Sequence, residues 1–246
     1  SGRVCNKRCE DACTRGTIDE AVAIDDVKRF IAERDLKAET RYVPKPIIPS
    51  LRGGFDEKIA IIGSGPAGLS CAYYLALTGY KPTIFEKNEE PGGMLRYGIP
   101  SYKLEKDLLK AEIDIIKEMG VEIRCGVEVG RDITIDQLRE QGYKGFYVAI
   151  GAQKGRKPGI ENEDADGVYT AVDFLKKAGA EEGFAFEGDV VVVGGGNVAI
   201  DAARVSSRCT EHGISMYCLE QKEQMPASKD EIAEALAENV SLNCGW

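Results

Sequence analysis

Two stretches of the chain carry glycines at a spacing that can do chemistry. The first is Gly63-Ser64-Gly65-Pro66-Ala67-Gly68, a G-x-G-x-x-G run. The second is Gly194-Gly195-Gly196-Asn197-Val198-Ala199, a G-x-G-x-x-A run. Either run alone is a weak signal, because glycines cluster in loops by chance. Here each follows an apolar stretch, Ile59–Ile62 or Val190–Val193, and precedes a helical pattern. In that setting the first glycine permits a tight turn and the second lets the backbone approach a pyrophosphate. The last small residue lets helix and strand pack closely. The helix N-terminus then presents free N–H groups and a partial positive charge to the phosphates. A plain βα turn that binds nothing is the alternative. It does not account for Glu86, an acid ending the next strand eighteen residues beyond Gly68. Such a carboxylate can accept hydrogen bonds from both hydroxyls of an adenosine ribose.

Just beyond Glu86 lies a second loop, Pro91-Gly92-Gly93-Met94-Leu95-Arg96-Tyr97-Gly98-Ile99-Pro100. Beside a dinucleotide fold it points to a flavin, whose ribityl chain and ring extend past the ADP part. Two strand–glycine–helix units in one chain suggest a two-dinucleotide flavoprotein, in which one site keeps FAD and the other exchanges NADH or NADPH. The second unit's next strand ends in Leu219-Glu220. A carboxylate there repels a 2′-phosphate and accepts from a free 2′-hydroxyl, which favours NADH. Lys222, two residues on, reads as a solvated loop lysine.

Cys5, Cys9 and Cys13 form a C-x3-C-x3-C run. Three thiols in so short a span suggest an iron–sulfur or zinc site. The plainer reading is one face of a helix carrying three small residues. Three ligands do not make four, and Glu20 is a candidate fourth that reads more simply as an exposed acid. The other cysteines, Cys71, Cys125, Cys209, Cys218 and Cys244, read as small buried hydrophobes. No Cys-x4-Cys follows the first glycine helix, and the one histidine, His212, reads as solvated. With no nucleophile–base set in view, the chemistry belongs to cofactors.

The elements that must position these residues fall into three regions. Residues 1–55 hold the cysteines, a helix over Ile24–Leu36 with Ile24, Val27, Phe30 and Ile31 on one face, and a proline-rich linker over Tyr42–Pro49. Residues 56–155 form the first dinucleotide domain. It has strands at Ile59–Ile62, Pro82–Glu86, Val121–Cys125 and a buried one at Gly145–Gly151, whose final Gly151 makes a tight turn. A helix runs over Leu104–Met119. Residues 156–246 form the second domain, with a helix over Ala171–Ala178, strands at Val190–Val193 and Ser215–Glu220, and a last helix over Ser228–Glu238. The fold class is therefore α/β: two Rossmann-like dinucleotide-binding domains preceded by a short helical iron–sulfur-type segment.

The 246 residues are enough for one large or two small cored domains. A formal net charge of −9 argues against nucleic acid or an anionic membrane as partner. No apolar run reaches the ~20 residues of a bilayer span, and residues 1–8 lack a signal peptide's apolar core. A cytoplasmic protein is expected.

The stretches Ile-Gly-Ser-Gly-Pro-Ala-Gly-Leu (62–69), Glu-Pro-Gly-Gly-Met-Leu-Arg-Tyr-Gly-Ile-Pro (90–100) and Gly-Arg-Lys-Pro-Gly-Ile (155–160) resemble the glutamate synthase small (β) subunit family. They are also similar to the N-terminal half of dihydropyrimidine dehydrogenase. The resemblance runs over nearly the whole chain. It implies FAD on Ser64, Gly65, Pro66, Ala67, Glu86, Met94, Lys103 and Val129, with Val4 approaching the flavin. It implies that Cys5 and Cys9 serve one [4Fe–4S] cluster and Cys13 another, completed by upstream cysteines this chain does not contain. NADP-using relatives carry two arginines at the positions of Leu219 and Glu220. The resemblance also implies a further C-terminal segment, so the chain reads as truncated at both ends. The expected function is a flavin-dependent subunit that takes hydride from NAD(P)H and passes electrons through clusters to a partner subunit. A transhydrogenase or electron-bifurcating subunit is the alternative enzyme, and a non-catalytic docking fragment is the alternative of another class.

Overall fold

The structure is a computed structural model and describes residues 2–47, 54–181 and 183–246. Its contacts divide the chain into two compact units. One is Ser1–Arg96 with Ser101–Gly151; the other is Tyr97–Pro100 with Ala152–Trp246.

The first unit begins with α1 (Arg8–Asp11), a 3₁₀ turn (Thr14–Thr17) and α2 (Ile24–Leu36). Arg3 fastens this segment by ion pairs to Glu33 (2.9 Å) and Glu105 (3.2 Å). The expected apolar face of α2 exists, but Val27, Phe30 and Ile31 on it are exposed. The linker runs without regular structure to Ile47, and Pro49 lies outside the described residues.

Next come β1 (Lys58–Ile62), α3 (Pro66–Leu77), β2 (Lys81–Phe85), α4 (Met94–Tyr97), α5 (Lys106–Glu118), β3 (Glu122–Arg124), α6 (Ile135–Glu140) and β4 (Tyr143–Val148). The four strands pair in parallel in the order β3-β2-β1-β4. Alternation along the strands feeds two cores. Ile61 and Ile84 face Leu69, Ala72 and Ala76 of α3 and Leu109 and Ile113 of α5. Ala60 and Phe85 face the other way, onto Leu138 of α6 and Tyr143. Each fully buried leucine or isoleucine contributes roughly 1.5–3 kcal/mol, so Leu138, with no exposed surface, fixes the short α6. The chain leaves β1 for β2 on one side, while β4 lies on the other. This is the topological switch point at which open α/β sheets bind ligands, outside the carboxyl ends of the strands.

The second unit holds α7 (Ala171–Ala180), β5 (Val190–Val193), α8 (Asn197–Ser206), β6 (Ile214–Cys218), a 3₁₀ turn (Lys222–Gln224), α9 (Lys229–Ala237) and β7 (Ser241–Cys244). Its strands are parallel in the order β5-β6-β7. Ile214, Met216 and Cys218 pack with Ile200 and Ala203 of α8 and Ile232 and Ala235 of α9. Phe174 of α7 meets Phe184 and Phe186 in an aromatic group beside Ala202.

Three expectations need correction. The strand near Gly145–Gly151 is not buried: β4 is a sheet edge, and Val148 and Ile150 are each 64% exposed. Of the five scattered cysteines only Cys218 is buried; the other four are partly exposed. Cys5, Cys9 and Cys13 do not share one helix face, because α1 spans only four residues and Cys13 is the extended residue that precedes the 3₁₀ turn. His212 is exposed, as expected.

Candidate functional site

In the first unit, β1 ends at Ile62 and the chain turns through Gly63 at φ +103°. The Gly63 N–H donates to the Phe85 carbonyl at 2.8 Å, and a Cβ on Gly63 would run into the carbonyl of Ala149. Gly68 sits directly over the turn, where a Cβ would overlap the Gly63 carbonyl. Gly65 is the N-cap of α3, Pro66 opens it and Ala67 follows, and no side chain caps the helix. Proline at the first helical position gives up an N–H that had no partner in the helix. The remaining first-turn N–H groups face the turn, an arrangement that suits a phosphate.

Glu86 follows β2 and is 4% exposed. Its Oε2 accepts from Ser64 N (2.9 Å) and Ser64 Oγ (2.5 Å). Its Oε1 accepts from Asn88 N (2.8 Å) and Asn88 Nδ2 (2.7 Å). Burial pushes this carboxyl upward, but the hydrogen bonds from Ser64 and Asn88 outweigh it, and the pKa lies below the ordinary value. One carboxylate thus holds the glycine turn on one oxygen and the following turn on the other. Ser64 Oγ also accepts from Gly92 N at 3.2 Å, which brings the second glycine loop onto the first. A Cβ on Gly93 would stand 2.7 Å from Gly65 Cα, so two glycine backbones touch here. Met94 opens α4 directly after this contact. Lys106 Nζ ties the loop down through the Leu95 carbonyl at 3.0 Å; burial and then the Arg96 charge lower its pKa to about 8.

A consequence can be measured. In Glu86→Gln a single neutral oxygen replaces two charged ones, and the new amide faces a donor. Loss of about 1–3 kcal/mol is expected at neutral pH. Because the folded-state pKa is depressed, the wild-type advantage is present above the unfolded value near ~4.3 and is lost as pH falls through the folded value. Thermal melts of both proteins between neutral and acidic pH should therefore converge on acidification; a constant gap would contradict this.

In the second unit, Gly194 N donates to the Tyr217 carbonyl at 2.8 Å, repeating the Gly63–Phe85 bond. Gly196 is the N-cap of α8, again without a side-chain cap. Asn197 and Val198, the first two residues of that helix, are exposed, and Asn197 Oδ1 accepts from Ser228 N at 2.9 Å. Gly195 is hemmed in: a Cβ there would lie 2.9 Å from Glu220 Oε2, 3.2 Å from Cys218 Cβ and 3.5 Å from Pro226 Cδ. The Glu220 carboxylate thus stands beside the glycine turn at Gly195. β6 ends at Cys218, two residues before Glu220, and Leu219 is 83% exposed.

The structure gathers Gly63, Ser64, Gly65, Gly68, Glu86 and Gly93 in one unit and Gly194, Gly195 and Glu220 in the other. Gly151 lies just past β4, two residues beyond the Ala149 contact, and is exposed. Val129 packs beside Phe85 and Leu138, and Lys103 is partly buried ahead of α5. Val4 is 47% exposed on the Arg3-anchored segment. Asn88, Ala149 and Pro226 were not anticipated. Asn88 could have been suspected from its place two residues after Glu86; the other two arrive through tertiary contact alone.

The three N-terminal thiols are not gathered. Lys28 Nζ lies 3.7 Å from Cys5 Sγ. Backbone N–H groups of Val22, Arg15 and Gly16 hold the Cys13 thiol below its usual pKa. Among the described residues no three cysteine, histidine or acidic side chains stand close enough to hold a metal. These three thiols do not by themselves make a metal site.

Parallel sheets with uncapped glycine-turn helices at their strand ends define the dinucleotide-binding class of α/β protein. Residues 57–244 match the family described as pyridine nucleotide-disulphide oxidoreductase. The chain belongs to this family. Among its curated relatives, the Moorella thermoacetica NADP(+)-dependent formate dehydrogenase subunit beta is 41% identical, over 97% of this chain and 36% of that protein. The Escherichia coli glutamate synthase [NADPH] small chain is 36% identical, over 98% of this chain and 52% of its own length. The chain therefore spans about a third to a half of these relatives. Among solved structures, Mycobacterium tuberculosis FprA in complex with NADPH superposes with a TM-score of 0.62 at 24% identity, over 74% of this chain and 47% of FprA. Lactococcus lactis thioredoxin reductase gives 0.56 at 22% identity, over 77% of this chain and 64% of that one. These likenesses support the same fold. No helix of the described residues is long and apolar enough to cross a membrane.

Proposed function

We propose that this chain carries the FAD- and nicotinamide-binding part of an electron-transfer oxidoreductase subunit. FAD is held at Gly63–Gly68 with Glu86, and the nicotinamide nucleotide at Gly194–Ala199 with Glu220. The observation that carries the reading is the paired arrangement of a glycine turn, an uncapped helix start and a carboxylate set against the turn. Gly65 and Gly93 touch backbone to backbone, and Gly65 sets no side chain before the α3 N-terminus, which suits the close approach of a pyrophosphate. When bound, FAD supplies a two-electron acceptor for the hydride of a reduced nicotinamide. The protein's share is positional. Gly65 and the α3 N-terminus receive the phosphates, and Glu86 fixes the turn. Glu86 would accept from a ribose hydroxyl. Lys103, Met94, Val129 and Val4 are assigned to the flavin by the family resemblance, and Gly151 joins the cofactor site as the turn that follows β4.

For the nicotinamide, Glu220 favours NADH. The relatives named above carry NADP(+) or NADPH in their names, and NADP-using members place arginines where this chain has Leu219 and Glu220. A carboxylate against Gly195 repels a 2′-phosphate and accepts from a 2′-hydroxyl. Electrons then pass to a partner subunit, as the subunit names of the relatives suggest. The scattered N-terminal thiols carry no step of this reading. A transhydrogenase-type or bifurcating subunit is the second reading, favoured by the departure at Leu219-Glu220.

The test is reconstitution of the purified chain with FAD, followed by gel filtration. Co-elution of the flavin's visible absorption with the protein is expected. Its complete separation would instead favour a docking fragment.

A further inference from the structure

Beneath the second glycine turn lies a pair of thiols that the proposed reaction does not use. Cys218 ends β6 and Cys244 ends β7, and the two are register partners in the parallel pairing of these strands. Both side chains belong to the core cluster of α8 and α9, so they point to the same side of the sheet. Neither thiol is in a disulfide: Cys218 Sγ donates to the Glu220 carbonyl at 3.5 Å, and Cys244 Sγ lies 4.0 Å from Met225 Sδ. Burial raises the pKa of Cys218, and the neighbouring Cys244 thiol adds to this. Cys244 is partly exposed, so a small oxidant can reach it.

The pair is joined to Glu220 by short contacts, and Gly195 leaves no room for a side chain beside it. Cys218 Cβ is one of the atoms a Cβ on Gly195 would meet, at 3.2 Å, and Glu220 Oε2 is another, at 2.9 Å. Cys218 Sγ approaches the Glu220 carbonyl at 3.5 Å, and Gly245 N donates to that carbonyl at 3.1 Å. Trp246 N donates to the Cys218 carbonyl at 3.1 Å. Any movement of one strand end toward the other is therefore felt by Glu220 and Gly195.

We propose that Cys218 and Cys244 are a redox-sensitive dithiol which a peroxide closes to a disulfide, and that closure weakens nicotinamide nucleotide binding at the adjacent turn. The coupling rests on the nucleotide assignment above; the dithiol does not. Cys244 Sγ, as thiolate, attacks one peroxide oxygen. The O–O bond breaks, and the departing hydroxide takes up the proton the thiol released, giving water and a sulfenic acid. Cys218 Sγ then attacks that sulfur. The S–O bond breaks, the leaving hydroxide takes the Cys218 proton as a second water, and the S–S bond forms. The two thiols are oxidised by two electrons, and the peroxide is reduced to two waters.

Geometry makes this disulfide strained. Neighbouring strands stand about 4.8 Å apart, whereas a disulfide holds its Cβ atoms about 3.8 Å apart. Closure must draw the ends of β6 and β7 together by about 1 Å. Strain of this kind makes a disulfide easier to reduce, as a reversible device requires.

The experiment treats the whole chain with hydrogen peroxide, alkylates residual thiols and maps linked peptides by mass spectrometry. NADH affinity and Trp246 fluorescence are followed on the same samples. Trp246 is the sole tryptophan and its ring packs on Tyr217. A Cys218–Cys244 link is expected, with a shift in Trp246 emission and NADH binding weakened on the order of tenfold, about 1.4 kcal/mol. A dithiol reductant should restore both, and Cys244→Ala should show neither change. Cys218→Ala is the second variant, should the first fail to fold. Absence of the link, or a loss of NADH affinity that persists in a folded alanine variant, overturns the proposal. A mapped link with a shifted Trp246 signal, in a protein whose reduced form binds no NADH, overturns the nucleotide assignment and the coupling but leaves the dithiol standing.

Discussion

Gly68→Ala is expected to abolish retention of FAD and to destabilise the first unit by about 3 kcal/mol, the upper part of the range for overpacking. The added methyl group overlaps the Gly63 carbonyl and lies 3.2 Å from Ile61 Cγ2. Neither neighbour can yield cheaply. Gly63 is fixed by its bond to Phe85 and by the Ala149 carbonyl pressed against it, and Ile61 is fully buried. The strain falls on α3, which must lift from β1 and withdraw its N-terminus from the phosphate position. Gly179→Ala is the control. It lies inside α7 with nothing within 4 Å of the new Cβ, so a gain of about 0.5–1 kcal/mol is expected from helix propensity. Urea denaturation and the FAD carried through gel filtration measure both effects. Normal FAD retention by Gly68→Ala would mean that the turn is not the phosphate cradle.

The second large effect is expected at Leu219 and Glu220. Replacing both by arginine should reverse the nicotinamide preference from NADH to NADPH, by on the order of 100-fold in the ratio of affinities. This corresponds to about 3 kcal/mol, the scale of hydrogen bonds to a charged group. Glu220→Gln alone should remove the repulsion without adding an attraction, and so narrow the preference without reversing it. Leu219 is exposed and its replacement disturbs no core. Glu220 Oε2 faces Gly195, so its substitution acts where the nucleotide is assigned. Titration of each nucleotide into the three proteins decides the matter. Tighter NADPH binding by the wild-type chain would contradict the reading of Glu220.

Much of this was legible in the residues. The helix over Ile24–Leu36 and the strand over Val190–Val193 stand where periodicity and β-branched runs place them. Both glycine turns fall between strand and helix, where Gly63 and Gly194 take the positive φ that glycine alone adopts at no steric cost. The short α6 and the strand Ser241–Cys244 were not legible. Leu138 and Tyr143 anchor α6 through contacts remote in sequence, and β7 forms because β6 offers it an open edge. Exposure was also hidden. Val191 and Val193 look like core residues yet are 61% and 83% exposed, because alternation along a strand at a sheet edge turns every second side chain outward. The carboxylates were found by spacing, but their partners were not. That Glu86 spends both oxygens on Ser64 and Asn88 follows from the meeting of two loops, which only the folded chain displays.

The proposed function requires that the chain bind both FAD and a nicotinamide nucleotide and that the nucleotide reduce the flavin. An anaerobic titration of the FAD-reconstituted chain with NADH tests it most directly. Stoichiometric bleaching of the flavin's visible band, with less effect from NADPH at equal concentration, is the predicted result. A flavin that stays bound but remains oxidised with either nucleotide would contradict it.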